Sequence, residues 1–177
     1  MEGDQLWYEA AHLVGITNAL NVAADGLAAL PAVTAVLPPI AEAGASGAAG
    51  ALFAEVRAFY ARADVPPVFR FLARDPAYAA DVWAATRRAF GDNQLTRRFK
   101  EALAFAVSLT SRAEWGTGFH LAEMKRLGVG DSGVMEVIGV TQMFSSYTKI
   151  ADTLQLEPDM GDIAPVDDSP APGGVPR

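Results

Sequence analysis

Residues 95 to 111 read Leu95-Thr96-Arg97-Arg98-Phe99-Lys100-Glu101-Ala102-Leu103-Ala104-Phe105-Ala106-Val107-Ser108-Leu109-Thr110-Ser111. No proline or glycine interrupts this run, and Ala, Leu, Arg, Lys and Glu, which fill much of it, are the strongest helix formers. Phe99, Leu103, Ala106 and Thr110 recur at helical spacing, with Ala102 and Val107 flanking them, so the pattern predicts a helix over 95–111 that turns this face inward. The opposite stripe, Arg97, Glu101, Ser108 and Arg112, is expected to face water.

Outward from this helix the same alphabet repeats. A helix over about 113–127 contains Gly116 and Gly118, each costing about 1 kcal/mol relative to Ala. We read both glycines as positions of close packing. The helix stops at Lys125-Arg126-Leu127-Gly128, with basic residues followed by glycine. Gly130-Asp131-Ser132 offers caps for a long helix over about 134–156, with Met135, Ile138, Met143, Phe144, Tyr147 and Ile150 mostly buried. Upstream, Gly91-Asp92-Asn93 is a break, and Asp75 caps a helix with Pro76 at its first position that runs to Phe90. A short helix covers Val68 to Arg74 after Pro66-Pro67. Leu52, Val56, Phe59 and Tyr60 mark another, with Ser46 as its N-cap. A first helix over about 4–29 ends before Pro31. No stretch reads as a strand, so the chain is expected to be all-α.

The expected organisation is an N-terminal helix at 1–30, a linker at 31–50 with Pro38-Pro39 and a Gly/Ala/Ser cluster, a helical domain at 51–156 and a tail at 157–177. Five of the eleven prolines fall in that tail, with Glu157, Asp159, Asp162, Asp167 and Asp168 against the single base Arg177, a composition expected to be disordered. A faint echo links Leu13-Val14-Gly15-Ile16-Thr17 and Ala24-Asp25 to Val137-Ile138-Gly139-Val140-Thr141 and Ala151-Asp152. It arises by chance between Ala-rich helices, or marks the first helix as the remnant of a preceding repeat.

Composition narrows the chemistry. The 177 residues, 51% hydrophobic and 20% charged, suffice for one core-bearing domain. A net charge of -7, with no basic cluster beyond Arg97-Arg98-Phe99-Lys100, argues against nucleic acid as a partner. No apolar run approaches the roughly 20 residues that span a bilayer, and Met1-Glu2-Gly3-Asp4 lacks a basic leader, so no membrane partner and a cytoplasmic location are expected. There is no cysteine, which removes thiolate nucleophiles, disulfides and Cys-zinc sites together. The only histidines are His12 and His120, and neither sits in a metal-ligand spacing, so no metal and no cofactor are expected. His12 is read as structural, and Trp7, Trp83 and Trp115 as core or subunit-contact residues. A Gly-x-Ser-x-Gly elbow and a phosphate-binding glycine loop are both absent.

Several residues agree with a known family. The run Arg98 to Ser108, then Phe119-His120, Leu127-Gly128 and Glu136-Val137-Ile138-Gly139-Val140, resembles the AhpD-like superfamily of alkylhydroperoxidases and carboxymuconolactone decarboxylases. The peroxidase branch carries Glu, eleven residues, Cys, two residues, Cys, three residues, His. Laid on this chain, Glu101 and His120 take the Glu and His positions, and the cysteine positions fall on Ala113 and Gly116. Residues 50–90, including Leu52 to Arg57 and Phe69 to Pro76, resemble the corresponding segment of group I 2-haloacid dehalogenase relatives. In those relatives Asp and Asn activate water, which makes Asn18, Asn21 and Asp25 conceivable sites, although their catalytic motif does not align with any of the three. The superfamily resemblance implies an all-α AhpD-like fold and a homo-oligomer.

Two functions stay open. Glu101 and His120 form a carboxylate–imidazole pair that moves a proton on a small organic acid, with thiol peroxidase activity absent. Alternatively Glu101 pairs with Arg97 one turn earlier on a solvated face, His120 is a packed core residue, and the protein is an inactive homologue that binds or assembles.

Overall fold

The computed structural model describes residues 2–28 and 38–156, so the expectations for the 157–177 tail and for residues 31–37 of the linker lie outside the described residues. Seven helices follow one another with no strand among the described residues: α1 Glu2–Ala28, α2 Gly47–Tyr60, α3 Pro67–Leu72, α4 Pro76–Phe90, α5 Arg97–Ser111, α6 Glu114–Arg126 and α7 Asp131–Leu154. None of them is long and apolar enough to cross a membrane.

Local chemistry sets the starts. Asp75 accepts from Tyr78 N at 3.1 Å ahead of Pro76, and Thr96 accepts from Phe99 N at 3.3 Å, which starts α5 two residues later than its composition suggests. Ser46 holds the N-cap position of α2, but its side chain makes no capping bond. The residues 47–50 assigned to a linker are the first turn of that helix.

The main apolar core gathers Leu20 and Ala24 of α1 with Phe53, Val56 and Tyr60 of α2, Val68 and Phe69 of α3, Trp83 of α4 and Phe119 of α6. Helix α1 belongs to this unit. Its buried residues Glu9, Leu13, Thr17, Leu20, Asn21 and Ala24 form one stripe at spacings of three and four, and α3, α4, α5 and α6 pack along it. The Glu9 carboxylate meets Lys100 Nζ and accepts from the backbone N–H of Gln94 at 3.0 Å and Leu95 at 3.3 Å. Lys100, fully buried, also donates to the Gly91 carbonyl at 2.5 Å. A lysine this deep is tolerable because its charge is paired and hydrogen-bonded.

Two inward faces differ from expectation. On α5 the buried residues are Lys100, Glu101, Ala104, Phe105 and Ser108, Phe99 is 51% exposed and Thr110 faces solvent. The stripe read as solvated is largely the inner one, because partners on α1 and α6 satisfy its polar groups. Trp7 is exposed, while Trp83 is buried and Trp115 lies partly buried and stacked on Phe119. On α7 only Val134 is buried, and Met135, Met143, Phe144, Tyr147 and Ile150 are exposed. Length explains this: 24 residues make a helix of about 36 Å, against about 22 Å for the 15 residues of α5 on which it rests, so its C-terminal half runs past its neighbour.

Candidate functional site

Helices α5 and α6 run antiparallel and bring Glu101 and His120 together. Both are buried, and Glu101 Oε2 lies 2.7 Å from His120 Nδ1. The other oxygen, Oε1, accepts from Arg97 Nε at 2.7 Å. The two arrangements that sequence spacing left as alternatives coexist, one on each oxygen of the same carboxylate. The face that carries them is not solvated.

Aromatic rings wall this pair. Phe90 stacks on the His120 ring at 5.6 Å and 4°, and Phe119 meets it edge-on at 5.2 Å. The Arg97 guanidinium sits 4.3 Å from the Phe59 centroid and 5.1 Å from that of Tyr60, a cation–π arrangement that keeps its charge beside Glu101. Burial, and next the charge of Glu101, push the Tyr60 phenol far above the ordinary tyrosine range. Glu123, one turn beyond His120, is buried and accepts from Arg126 Nη2 at 2.6 Å and Nε at 3.0 Å. That bond raises the Arg126 guanidinium above its usual range. The site therefore sets two buried carboxylates against two guanidiniums and one imidazole.

The cysteine positions are built differently. Ala113 is buried and stands at the N-cap of α6. At Gly116, a Cβ would fall 2.0 Å from Asn21 Oδ1 and 2.6 Å from Ser108 Oγ. Asn21, reaching in from α1, donates to Ser108 Oγ at 3.1 Å and Ser111 Oγ at 3.4 Å. The carboxamide of α1 fills the volume that a side chain at 116 would need. Gly118, also read as a packing glycine, has nothing within 4 Å of its Cβ position, so it permits no close contact.

The other histidine is remote from this pair. His12 lines a cleft of about 450 Å³ with Gln5, Tyr8, Glu9, Arg88 and Asn93. Neither that cleft nor the ones over α4, between α5 and α7, and on α7 has Glu101 or His120 in its wall. Asn18 is exposed, and the side chain of Asp25 lies outside the described residues. Among the described residues no three His, Asp or Glu side chains gather as a metal site.

Sequence reasoning did not single out Glu123, Tyr60 or Thr17. The i, i+3 spacing of His120 and Glu123 was the only local signal for any of them.

Residues 76–156, which span α4 to α7 with both Glu101 and His120, match the pattern of the Carboxymuconolactone decarboxylase family. No curated protein sequence matches the chain. The crystal structure of the alkylhydroperoxidase AhpD core from Rhodospirillum rubrum ATCC 11170 superposes with a TM-score of 0.68, covering 72% of this chain and 96% of that one at 21% identity. Residues 76–156 of this cysteine-free chain are thus similar to the Carboxymuconolactone decarboxylase family, within a fold that is AhpD-like.

Proposed function

We propose that this protein moves a proton on a small organic acid through His120, with Glu101 orienting the ring, and that it is not a thiol peroxidase. The observation that carries the reading is the unequal treatment of the two ring nitrogens. Nδ1 is bound to Glu101 at 2.7 Å, while Nε2, in a residue 1% exposed, has no hydrogen-bond partner. A carboxylate acceptor at Nδ1 selects the neutral tautomer with its proton on Nδ1, leaving the Nε2 lone pair as the base, and it stabilises the imidazolium formed once a proton arrives. Arg97 Nη2, 3.8 Å from Glu123 Oε2, and Arg62 Nε, whose guanidinium pairs with Asp64, are buried atoms that make no hydrogen bond and add donors near the site. Thiolate chemistry needs a cysteine, and the sequence has none.

Long-range proton–nitrogen NMR correlations test this directly, because only two histidines have to be told apart and His12→Gln assigns them. Neutral His120 is expected as the Nδ1–H tautomer. In Glu101→Gln, whose amide can donate to Nδ1, the population is expected to move toward Nε2–H. A wild-type ring that carries its proton on Nε2 refutes the reading.

A second reading, action through assembly with copies of itself, is favoured by α7, whose Met143, Phe144, Tyr147, Ile150 and Leu154 are each 47–67% exposed. The two are compatible, since a homo-oligomer that covers α7 leaves the pair between α5 and α6 in place.

A further inference from the structure

We infer that the seam between α1 and α6 holds a site for one small O–H-bearing molecule, water in the resting protein, bridging His120 Nε2 and Thr17 Oγ1, with Thr17 a positioning residue for His120. This rests on the proton-transfer reading and deepens it.

The first observation is unmet hydrogen bonding. Thr17 is fully buried and its hydroxyl has no hydrogen-bond partner, and the same is true of His120 Nε2. Buried polar groups left unpaired are costly, so native proteins pair nearly all of them, often through water.

The second is helix register. Glu9 meets Lys100, Leu13 packs with Ala104, and Asn21 bonds Ser108, so α1 and α5 run in the same direction. Glu101 meets His120 while Ser108 lies against Gly116, so α6 runs the opposite way. Helices α1 and α6 are therefore antiparallel, with Asn21 seated on Gly116. One turn from that contact, about 5.4 Å along each axis, come Thr17 and His120, facing each other.

Packing triangulates the same spot. Leu13, one turn before Thr17, shares a cluster with Phe90, which stacks on His120, and Leu20, one turn after, shares a cluster with Phe119, which meets His120 edge-on. Thr17 therefore sits on α1 between the two residues that pack in the clusters of these rings, one of which stacks on His120 and the other meets it edge-on. Because the two polar atoms face one seam without bonding each other, a bridging molecule satisfies both where a direct bond does not. Asn21 Oδ1, whose one contact with a donor is Ser108 Oγ at 3.4 Å, offers a third partner, and two to four partners are what a buried water requires. A substrate hydroxyl or carboxylic acid that displaces this water presents its own proton to Nε2. Both α1 residues lie outside the family-matched segment, so the candidate site is composite.

The test is water-selective cross-relaxation NMR on the full chain, with Thr17→Val, Thr17→Ala and Thr17→Ser. The wild type is expected to show a cross-peak from long-lived water to the His120 ring. Thr17→Val, nearly isosteric, is expected to lose it and to shift the Nε2 resonance while the His12 resonances stay in place. Thr17→Ser is expected to keep both signals. Should Thr17→Val fail to fold, Thr17→Ala gives the same readout with less bulk. A wild type without the cross-peak, or hydroxyl-free variants that retain it unchanged, overturns the inference. The same spectra report the tautomer, so an Nδ1–H ring without the water signal removes Thr17 from the site and leaves the Glu101–His120 reading standing.

Discussion

Replacing Gly116 and Gly118 by alanine, two positions apart on α6, should move stability in opposite directions. A helix-interior Gly→Ala change normally gains about 1 kcal/mol. At Gly118 nothing opposes that gain, since the added Cβ meets no atom within 4 Å. At Gly116 the Cβ would stand 2.0 Å from Asn21 Oδ1, and Asn21, 1% exposed, cannot swing away without leaving Ser108 and Ser111. Overpacking costs about 1 to 3 kcal/mol, and the two displaced hydrogen bonds add about 1 kcal/mol each. Set against the propensity gain, the net loss is centred near 3 kcal/mol. For a chain of this length that lowers Tm by about 6 to 12 °C, whereas Gly118→Ala raises it by about 2 to 4 °C. Thermal and urea unfolding of both variants is the assay. Asn21→Ala supplies the cycle: combined with Gly116→Ala it should cost at least about 1 kcal/mol less than the two single losses together, because removing the carboxamide makes room for the methyl. If Gly116→Ala stabilises as Gly118→Ala does, α1 does not occupy the second cysteine position. The chemical corollary is that cysteines at 113 and 116 fit this seam only when residue 21 is also made smaller.

The Tyr60 phenol, held neutral by burial and by Glu101, makes stability fall in alkali. In the unfolded chain it ionises near pH 10, so its contribution is intact below about that pH and is lost progressively above it, where the unfolded state binds fewer protons than the folded one. One of the four tyrosines should therefore withhold its tyrosinate absorbance until the chain unfolds, and Tyr60→Phe should abolish that step; a rise that tracks pH in the folded protein would count against the burial. For α7, sedimentation at micromolar concentration should find an oligomer, which Phe144→Glu reduces to monomer with its helical circular dichroism unchanged, since Phe144 is 67% exposed in the single chain. A monomeric wild type would refute the assembly reading.

The Glu101–His120 pair shows how far the sequence carries the site. Spacing alone admitted either Arg97 or His120 as the partner of Glu101, and the family frame added weight to His120. Neither indicated that one carboxylate serves both, which depends on α6 crossing α5 at that turn. Periodicity misassigned the inner face of α5 for a related reason. It counts Lys100, Glu101 and Ser108 as polar, while their burial is decided by Glu9, His120 and Asn21, residues 19 to 91 positions away in the chain. Thr17 gave no local signal and Asn21 entered only through the dehalogenase resemblance, both being ordinary polar residues on a helix whose inward stripe is only half apolar.

Helix content and helix ends followed from the chain alone, because propensity, caps and the Gly and Pro breaks act over a few residues: α4 begins at Pro76 and ends at Phe90 as its caps dictate, and α5 ends at Ser111. The lack of cysteine likewise settled, without coordinates, that no thiolate can act here. Tertiary structure decided which polar groups lie inside, which helix fills the space beside Gly116, and how much of α7 is left bare. Those outcomes turn on whether a buried charge or amide meets its partner across helices, and no local pattern encodes that meeting.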